Sequence, residues 1–237
     1  MLEGKVALIT GASQGLGRAL AFAFAKEGAS LVICSRREEA IRPMDEELER
    51  EGVEVVSLSA DVSRSEDVNR LVSAASETFG GIDVLVNNAG ILGPRVAIED
   101  YPEDEWRRVI DANLTGLFLV SKAAIPHMRE GGSIINLVSG VSVEGRAEWG
   151  AYSVSKFGVE GLTQILAAEL EDRNIRVNAV DPGGMRTDMR AAAYPEEDPR
   201  TRITPEENTE VFLYLASDES KGVTGQRFKA QEFERRS

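Results

Sequence analysis

The segment VALITGASQGLGRALAFAFA, residues 6–25, decides the fold class of this chain. Its apolar opening predicts a buried strand, its middle is a glycine-rich turn, and its alanine-rich close predicts a helix. Gly11 permits the tight turn, Gly15 lets a backbone approach a pyrophosphate, and Gly17 lets the helix lie close to the strand. The helix N-terminus then faces the anion. The order strand, glycine turn, helix therefore predicts nucleotide binding.

The same alternation of short apolar runs and longer amphipathic stretches continues along the chain. Strands are predicted at residues 6–10, 31–35, 53–58, 84–87, 133–138, 176–180 and, from a weaker pattern, 226–229. Helices are predicted at residues 15–28, 38–51, 65–79, 103–129, 150–171 and 205–217. This alternation is typical of an α/β fold with a doubly wound parallel sheet of seven strands, the Rossmann-type three-layer sandwich. One domain over residues 1–237 suits the chain length.

Two stretches depart from the regular pattern. The long helix at 103–129 changes character near Asn113 and contains Pro126, so an irregularity is expected at Asn113. Residues 188–205 are rich in proline and charge, which indicates an exposed loop. That loop is either a substrate lid or a plain surface connection.

Composition excludes several classes of protein. The chain is 42% hydrophobic and 28% charged, and no uninterrupted apolar run reaches the ~20 residues of a membrane span. Its net charge of −13 disfavours nucleic acid as a partner. One cysteine and one histidine exclude a disulfide scaffold and a Cys/His zinc cluster, so no metal is expected. The N-terminus shows no secretory signal, so a cytoplasmic protein is expected.

The end of the second strand indicates the choice of nucleotide. An acidic residue there would bind the ribose hydroxyls of NAD, but this chain has Ser35-Arg36-Arg37. The Arg36 guanidinium suits a 2′-phosphate and Ser35 can donate to it, so NADP(H) is favoured over NAD(H). Alternatively, both arginines are solvated and pair with Glu38 and Glu39.

Further motifs follow the later strands at regular positions. Asp61-Val62 follows the third strand, Asn87-Asn88-Ala89-Gly90 the fourth, and Ser139 the fifth. Tyr152-Ser153-Val154-Ser155-Lys156 lies on a predicted helix, and Pro182-Gly183-Gly184-Met185-Arg186-Thr187 follows the sixth strand. Together with Thr10-Gly-x-x-x-Gly15-x-Gly17, this order of motifs resembles the short-chain dehydrogenase/reductase family from residue 4 to about 225.

The resemblance implies a fold, an assembly and a set of functional residues. The sheet order would be 3-2-1-4-5-6-7 and the protein a homo-oligomer, usually a tetramer. The catalytic residues would be Asn113, Ser139, Tyr152 and Lys156. Cofactor contacts would come from Gly11, Ser13, Gln14, Gly15, Leu16, Gly17, Ser35, Arg36, Asp61, Val62, Asn88, Ala89, Gly90, Tyr152, Lys156, Pro182, Gly183, Met185 and Thr187.

The chemistry expected of Tyr152 and Lys156 follows from their spacing and does not depend on the family resemblance. Tyr152 and Lys156 are four residues apart, so both project from one helix face. An adjacent ammonium stabilises phenolate, which suits a tyrosine that exchanges protons. Ser139 would hydrogen-bond the substrate oxygen while Tyr152 protonates it. The expected reaction is the reversible, NADPH-dependent reduction of a ketone or aldehyde to an alcohol. The family resemblance implies in addition that Asn113 would anchor a water beside Lys156.

Three departures from the family pattern bear on function. Ser139 lacks the usual neighbouring serine, and the segment after Thr187 is short and suggests an open pocket. Val223-Thr224-Gly225-Gln226 resembles the family's entry to its last strand, but the usual Asp-Gly-Gly ending is absent. The last departure puts the usual tetramer contacts and the floor of the pocket in question.

Two alternatives remain open at this stage. The chain could be a non-catalytic NADPH sensor or scaffold. As an enzyme, its substrate class could be a 3-oxoacyl thioester or a polyol or sugar. Arg129 and Arg173 lie at predicted helix ends where a carrier-protein phosphopantetheine could be met, although the net charge of −13 opposes an acidic carrier.

Overall fold

A computed structural model describes residues 1–235, and at its centre lies one sheet of seven parallel strands. The strands are β1 (Val6–Thr10), β2 (Ser30–Ser35), β3 (Val55–Ser59), β4 (Ile82–Asn87), β5 (Met128–Leu137), β6 (Arg176–Asp181) and β7 (Arg227–Lys229). Their order across the sheet is β3-β2-β1-β4-β5-β6-β7. The predicted fold class and strand order are confirmed.

Helices cover both faces of the sheet. They are α1 (Gly15–Lys26), α2 (Glu38–Arg50), α3 (Ser65–Phe79), α4 (Glu103–Ile110), α5 (Gly116–Ala124), α6 (Gly150–Glu169), α7 (Asp188–Ala193) and α8 (Glu210–Ala216). The core on one face contains residues of α1, α2 and α8, and the core on the other contains residues of α3, α5 and α6. The result is the predicted three-layer arrangement.

The central strands β1, β2 and β4 are largely buried because helices cover both faces of the sheet. In β1, Ala7 and Ile9 join the core beneath α1, whereas Val6 and Leu8 join the opposite core. All five β1 residues are buried. This explains why the strand segments read as continuous apolar runs rather than as alternating ones.

The topology fixes the place of the functional site. From β1 the chain proceeds outward to β2 and β3, then returns to β4 on the other side of β1. The turns after β1 and β4 therefore leave the sheet in opposite directions and open a crevice at its carboxyl edge. Ligands of doubly wound folds bind in such a crevice.

The predicted helix at 103–129 is interrupted where an irregularity was expected. A π-helical turn spans Asp111–Thr115 between α4 and α5, and Asn113 lies within it. The chain then forms a 3₁₀ turn at Ile125–His127, since Pro126 cannot continue the hydrogen-bond ladder. The stretch Glu103–His127 meets the length and composition of a membrane span, but in the structure it packs on α3 and α6.

Other predicted boundaries shift by a few residues. β5 begins at Met128 rather than at residue 133, because Met128 pairs with Ile82 ahead of an irregularity in the ladder. The helix predicted at 205–217 splits into a 3₁₀ turn, Glu206–Asn208, and α8. The loop predicted at 188–205 contains α7, whose first turn is capped by the Thr187 hydroxyl.

Candidate cofactor and catalytic site

A cavity of about 810 Å³ lies at the carboxyl edge of the sheet. It is lined by most of the predicted cofactor residues, namely Gly11, Ser13, Gln14, Gly15, Leu16, Ser35, Arg36, Asp61, Val62, Asn88, Ala89, Gly90, Tyr152, Lys156, Pro182, Met185 and Thr187. Gly17, Gly183, Asn113 and Ser139 are not among the residues of its wall. The structure thus brings distant motifs to one cavity of a size usual for ligand sites.

The turn after β1 can be made only with glycine at two positions. Gly11 has a φ of +67°, and a Cβ there would lie 2.9 Å from the Ala89 Cα. A Cβ on Gly17 would lie 2.3 Å from the Gly11 carbonyl oxygen. Gly17 therefore serves the close packing of α1 rather than the wall of the cavity, as the sequence predicts.

Asn88 holds this turn against the end of β4. Its Nδ2 donates to the carbonyl oxygens of Thr10 at 2.9 Å and Gly11 at 3.0 Å. The Thr10 hydroxyl in turn accepts from the backbone N–H groups of Asn88 and Ala89, at 3.1 Å each. The two turns that flank the crevice are thus fixed relative to one another.

The structure of the β1–α1 junction fits a pyrophosphate. Helix α1 begins at Gly15, its N-cap residue Gln14 makes no side-chain capping bond, and its first turn carries no acidic residue. Its first N–H groups therefore have no side-chain acceptor and can donate to an anion. A Cβ on Gly15 would meet only the Thr187 methyl, at 3.5 Å, so the backbone is open to a ligand.

At the end of β2, Arg36 is exposed and lines the cavity. Within residues 1–235, neither Arg36 nor Arg37 forms an ion pair with a carboxylate, so the alternative pairing with Glu38 and Glu39 is not seen. The Ser35 hydroxyl donates to the Arg37 carbonyl at 2.8 Å. Arg36 is therefore available to a phosphate, whereas Ser35 would have to exchange its present partner.

The turn after β3 is closed by its own side chains. Asp61 Oδ1 accepts from Ser63 N at 3.0 Å and from Ser63 Oγ at 2.7 Å. The Asp61 backbone N–H donates to Asp67 Oδ2 at 3.0 Å. These bonds hold Asp61 and Val62 in the wall of the cavity, where the family resemblance implies cofactor contacts.

The turn after β6 also lines the cavity and approaches the glycine turn, since its Thr187 methyl lies next to Gly15. Asp181 Oδ1 accepts from Gly183 N at 3.0 Å, and Gly183, with a φ of +68°, leaves no room for a Cβ beside the Gln231 amide. Thr187 Oγ1 accepts from Arg190 N at 3.2 Å. That bond leaves the hydroxyl proton of Thr187 free to donate, as a contact to a carboxamide would require.

Tyr152 and Lys156 lie on successive turns of α6 and both line the cavity. The Lys156 ammonium lies 5.9 Å from the centre of the Tyr152 ring and donates to the Leu137 carbonyl at 2.7 Å. Burial lowers the pKa of Lys156 to about 8, an effect that Asp181 opposes. Burial raises the pKa of Tyr152 to about 12, although a hydrogen bond with Ser139 lowers it. Near neutral pH both groups hold their protons.

Asn113 joins the loop after β4 to the catalytic helix. Its Oδ1 accepts from Ile91 N at 2.8 Å, and its Nδ2 donates to Ile91 O at 2.9 Å and to Ser155 Oγ at 3.2 Å. A Cβ on Gly90 would lie 3.2 Å from Asn113 Oδ1 and 3.9 Å from Lys156 Nζ. The amide and the ammonium therefore flank the same glycine, and the π-helical turn aims Asn113 inward.

The wall beside Tyr152 is aromatic. The Trp149 ring lies 5.6 Å from the Tyr152 ring and 6.1 Å from the Tyr194 ring, measured between centres. The Arg95 guanidinium lies over Trp149 at 4.9 Å and over Tyr194 at 5.2 Å, and it donates to the Ala193 carbonyl at 2.6 Å. This wall joins the end of α7 to the loop after β4, and of its members only Tyr152 also lines the 810 Å³ cavity.

The functional residues predicted from the sequence do not include Trp149, Arg95 and Tyr194 of this aromatic wall. Trp149 is the N-cap residue of α6 and lies three residues before Tyr152 in the sequence. This proximity is a signal that could have found it. Arg95 and Tyr194 carry no comparable local signal, because their contact depends on two loops that are about 100 residues apart.

The comparisons with known proteins agree with this geometry. The family model for short chain dehydrogenases matches residues 5–198. The chain belongs to the short-chain dehydrogenase family. This short-chain dehydrogenase is 39% identical over 236 residues to the 3-oxoacyl-[acyl-carrier-protein] reductase FabG of Thermotoga maritima, with 95% of this chain and 95% of that protein covered.

A second curated relative and a solved structure extend the comparison. The short-chain dehydrogenase is 42% identical over 231 residues to the trans-4-hydroxycyclohexanecarboxylate dehydrogenase of Sinomonas cyclohexanicum, covering 93% of this chain and 89% of that protein. A short chain dehydrogenase from Shigella flexneri 2a strain 301, complexed with NADP, superimposes with a TM-score of 0.90 at 35% identity. That match covers 97% of this chain and 98% of the other.

Proposed function

We propose that this short-chain dehydrogenase reduces a ketone or aldehyde to an alcohol, reversibly, with NADP(H) as cofactor and Tyr152 as proton donor. The observation that carries the proposal is that Tyr152 and Lys156 line the same cavity as the uncapped N-terminus of α1 and the glycine turn. Nucleotide-binding and proton-transfer groups therefore serve one ligand space.

The side chains have complementary tasks in the proposed reaction. NADPH, when bound, supplies the hydride that reaches the carbonyl carbon. The Tyr152 hydroxyl donates a proton to the carbonyl oxygen, and Ser139 donates a hydrogen bond to the same oxygen. The Lys156 ammonium stabilises the phenolate that remains on Tyr152 until solvent returns the proton. Asn113 fixes the loop that flanks Lys156 and, by family resemblance, would anchor a water there.

Two observations support NADP(H) over NAD(H). Arg36 is exposed at the end of β2, lines the cavity and is free of carboxylate partners among residues 1–235. The similar Shigella flexneri structure is complexed with NADP. A guanidinium binds a 2′-phosphate with charge-assisted hydrogen bonds, whereas the NAD ribose would lack an acidic partner there.

The wall beside Tyr152 supports a ketone with an apolar body. Trp149, Leu92 and Val141 form an apolar cluster with Tyr152, so the surroundings of the proton donor are apolar and favour a ketone over a polyol or sugar. The two arginines considered for binding a carrier-protein phosphopantetheine already have partners within the chain. Arg129 pairs with Asp83, and Arg173 donates to backbone carbonyls. We therefore place free ketones ahead of carrier-linked thioesters and polyols, although one relative is a 3-oxoacyl reductase by name.

Self-association is proposed from an apolar stripe on two helices. Phe118 on α5 and Val154, Phe157 and Ile165 on α6 are each at least 44% exposed. The three α6 positions recur at helical spacing and form one face. Contiguous exposed apolar surface marks interfaces, so a dimer or tetramer through these helices is expected and sedimentation velocity would detect it.

The proposed function is tested by measuring NADPH and NADH oxidation against cyclic ketones, 3-oxoacyl thioesters, aldehydes and sugars. Binding of each cofactor is measured separately by calorimetry. Turnover that prefers NADPH supports the proposal, and ketone substrates support the apolar pocket. If NADPH binds tightly but no compound is turned over, the chain behaves as the alternative predicts, as an NADPH sensor or scaffold.

A further inference from the structure

The last strand places a cation beneath the catalytic loop. Arg227 begins β7 at the point where the sequence departs from the usual family ending, and it pairs in register with Ala179 of β6. Its side chain is 22% exposed, so most of it is removed from solvent. The reaction proposed above assigns Arg227 no role.

The Arg227 guanidinium joins three segments that carry reacting or cofactor-binding groups. Its Nε donates to Glu160 Oε1 at 2.9 Å, and Glu160 lies one turn after Lys156 on α6. Its Nη2 donates to Asp181 Oδ2 at 2.9 Å and to the Ser139 carbonyl at 3.3 Å. One side chain therefore links the catalytic helix, the end of β6 and the loop after β5.

Both carboxylates extend the network to backbone of the site. Glu160 Oε1 lies 2.7 Å from the Ser142 hydroxyl, which is 2.6 Å from the Ser139 carbonyl oxygen. The other oxygen of Asp181 accepts from the Gly183 N–H at 3.0 Å. The position of the Ser139 loop and that of the turn after β6 therefore depend on the same ion cluster.

The cluster also sets the charge beside the proton-transfer pair. Two carboxylates, whose side chains are 14% and 11% exposed, share one guanidinium. Such charges interact strongly because little solvent screens them. The charged and titratable groups of this region are Tyr152 and Glu160, each four residues from Lys156 on α6, and Asp181 on β6, whose charge acts on both Tyr152 and Lys156. Arg227 on β7 belongs to the same region through its pairs with Glu160 and Asp181. The Asp181 carboxylate raises the pKa of both Tyr152 and Lys156.

We propose that Arg227 is a positioning residue of this active site, which fixes the Ser139 loop against α6 and compensates the Asp181 carboxylate beside Tyr152 and Lys156. The inference rests on the proposed function, since it concerns the same catalytic groups. Loss of the guanidinium leaves Asp181 uncompensated, so both catalytic groups hold their protons to higher pH. Loss of the Asp181 charge acts with the opposite sign.

The first test follows Lys156 in the unliganded protein by NMR titration, with its resonance assigned by its absence in Lys156→Met. Arg227→Met should raise the pKa of Lys156 by about one unit, and Asp181→Asn should lower it by a similar amount. The double variant should return close to wild type. Arg227→Lys keeps the charge and should move the titration least. If the titration stays in place in all four variants, Arg227 is a structural brace only and the proposal is overturned.

The second test uses turnover in the alcohol-oxidation direction. Arg227→Met should move the rising limb of the pH profile upward and lower kcat about tenfold, while Arg227→Lys recovers part of kcat. A loss of kcat without movement of the limb would contradict the proposal. Should Arg227→Met fail to fold, Asp181→Asn and the charge-balanced double variant carry the same test. If wild type shows no turnover, the proposed function fails, and the Lys156 titration still decides the role of Arg227.

Discussion

The two sides of the cavity are built from different materials. The side at β1 and β2 presents glycines, backbone N–H groups and hydroxyls, and its cations at the end of β2, Arg36 and Arg37, are exposed. The side at β5, β6 and β7 contains Lys156, Asp181 and Arg227, which are largely buried. A phosphate is bound by fixed backbone dipoles, whereas proton transfer requires side chains whose charge is tuned by burial.

The difference explains why one side follows from local sequence and the other does not. A glycine turn is a short-range feature, while a buried ion cluster is assembled from residues far apart in the chain. Substitutions on each side should therefore separate the effects of backbone geometry from those of buried charge.

The largest effect is expected on the glycine side. Gly17→Ala places a Cβ 2.3 Å from the Gly11 carbonyl oxygen, and this backbone atom can move away only if the turn is distorted. We expect a loss of about 1–3 kcal/mol in the free energy of unfolding, together with weaker NADPH binding. The matched control is Gly161→Ala on α6, where nothing lies within 4 Å. That change should stabilise the helix slightly, and equal effects of the two changes would contradict the packing argument.

On the same side, Arg36→Asp should reverse the cofactor preference. It replaces the cation expected at the 2′-phosphate with an acid that suits the NAD ribose, so the ratio of NADPH to NADH binding should fall about 10²-fold. The measurement is the dissociation constant of each cofactor. Arg42→Asp, on the exposed surface of α2, should leave the ratio unchanged. An unchanged ratio in Arg36→Asp would contradict the assignment.

On the catalytic side, Lys156 should cost stability. Burial lowers its folded pKa from 10.5 to about 8, so below pH 8 the folded protein holds a charge that it disfavours. Between pH 8 and 10.5 the unfolded chain binds the extra proton, so wild-type stability rises with pH. Lys156→Met should therefore be more stable by about 2 kcal/mol near pH 7, with the gain shrinking above pH 8.

Denaturant titrations at several pH values measure this difference. Lys26→Met removes an exposed lysine at the end of α1 and should change stability little at any pH. A stability gain in Lys156→Met that is independent of pH would point to packing rather than to charge.

The smallest effect is expected at the aromatic wall. Arg95→Met removes the bond to the Ala193 carbonyl and the contacts with Trp149 and Tyr194, which together contribute about 1 kcal/mol. The segment after α7 should then be cleaved by trypsin several-fold faster. Arg107→Met, which breaks only an exposed pair with Glu103 on α4, serves as the control. Equal cleavage rates would show that Arg95 does not restrain this segment.

Local patterns predicted the fold, and most of the residues proposed from them as cofactor contacts line one cavity. The motif predicted that Gly11 and Gly17 must be glycine, and in the structure neither position at the β1–α1 junction has room for a Cβ. Asn113 was expected to interrupt its helix, and it lies in a π-helical turn. By contrast, α7 was not predicted, because its capping by Thr187 depends on where the preceding turn leaves the sheet.

The long-range contacts could not be predicted in the same way. Arg227 lies 67 residues from Glu160 and 46 from Asp181 along the chain, and no local spacing links them. The sequence marked only the region, since the family's usual Asp-Gly-Gly ending is absent from this end of the chain. The contacts that Arg227 makes are seen only in the structure, where β7 lies beside β6.

The role of Tyr152 as the proton donor is tested most directly by one pair of variants. Tyr152→Phe and Tyr194→Phe each remove one phenol hydroxyl from the same aromatic wall. With the best ketone found, kcat should fall about 10²–10⁴-fold in Tyr152→Phe and change little in Tyr194→Phe, while both bind NADPH as wild type does. Full turnover in Tyr152→Phe would contradict the account.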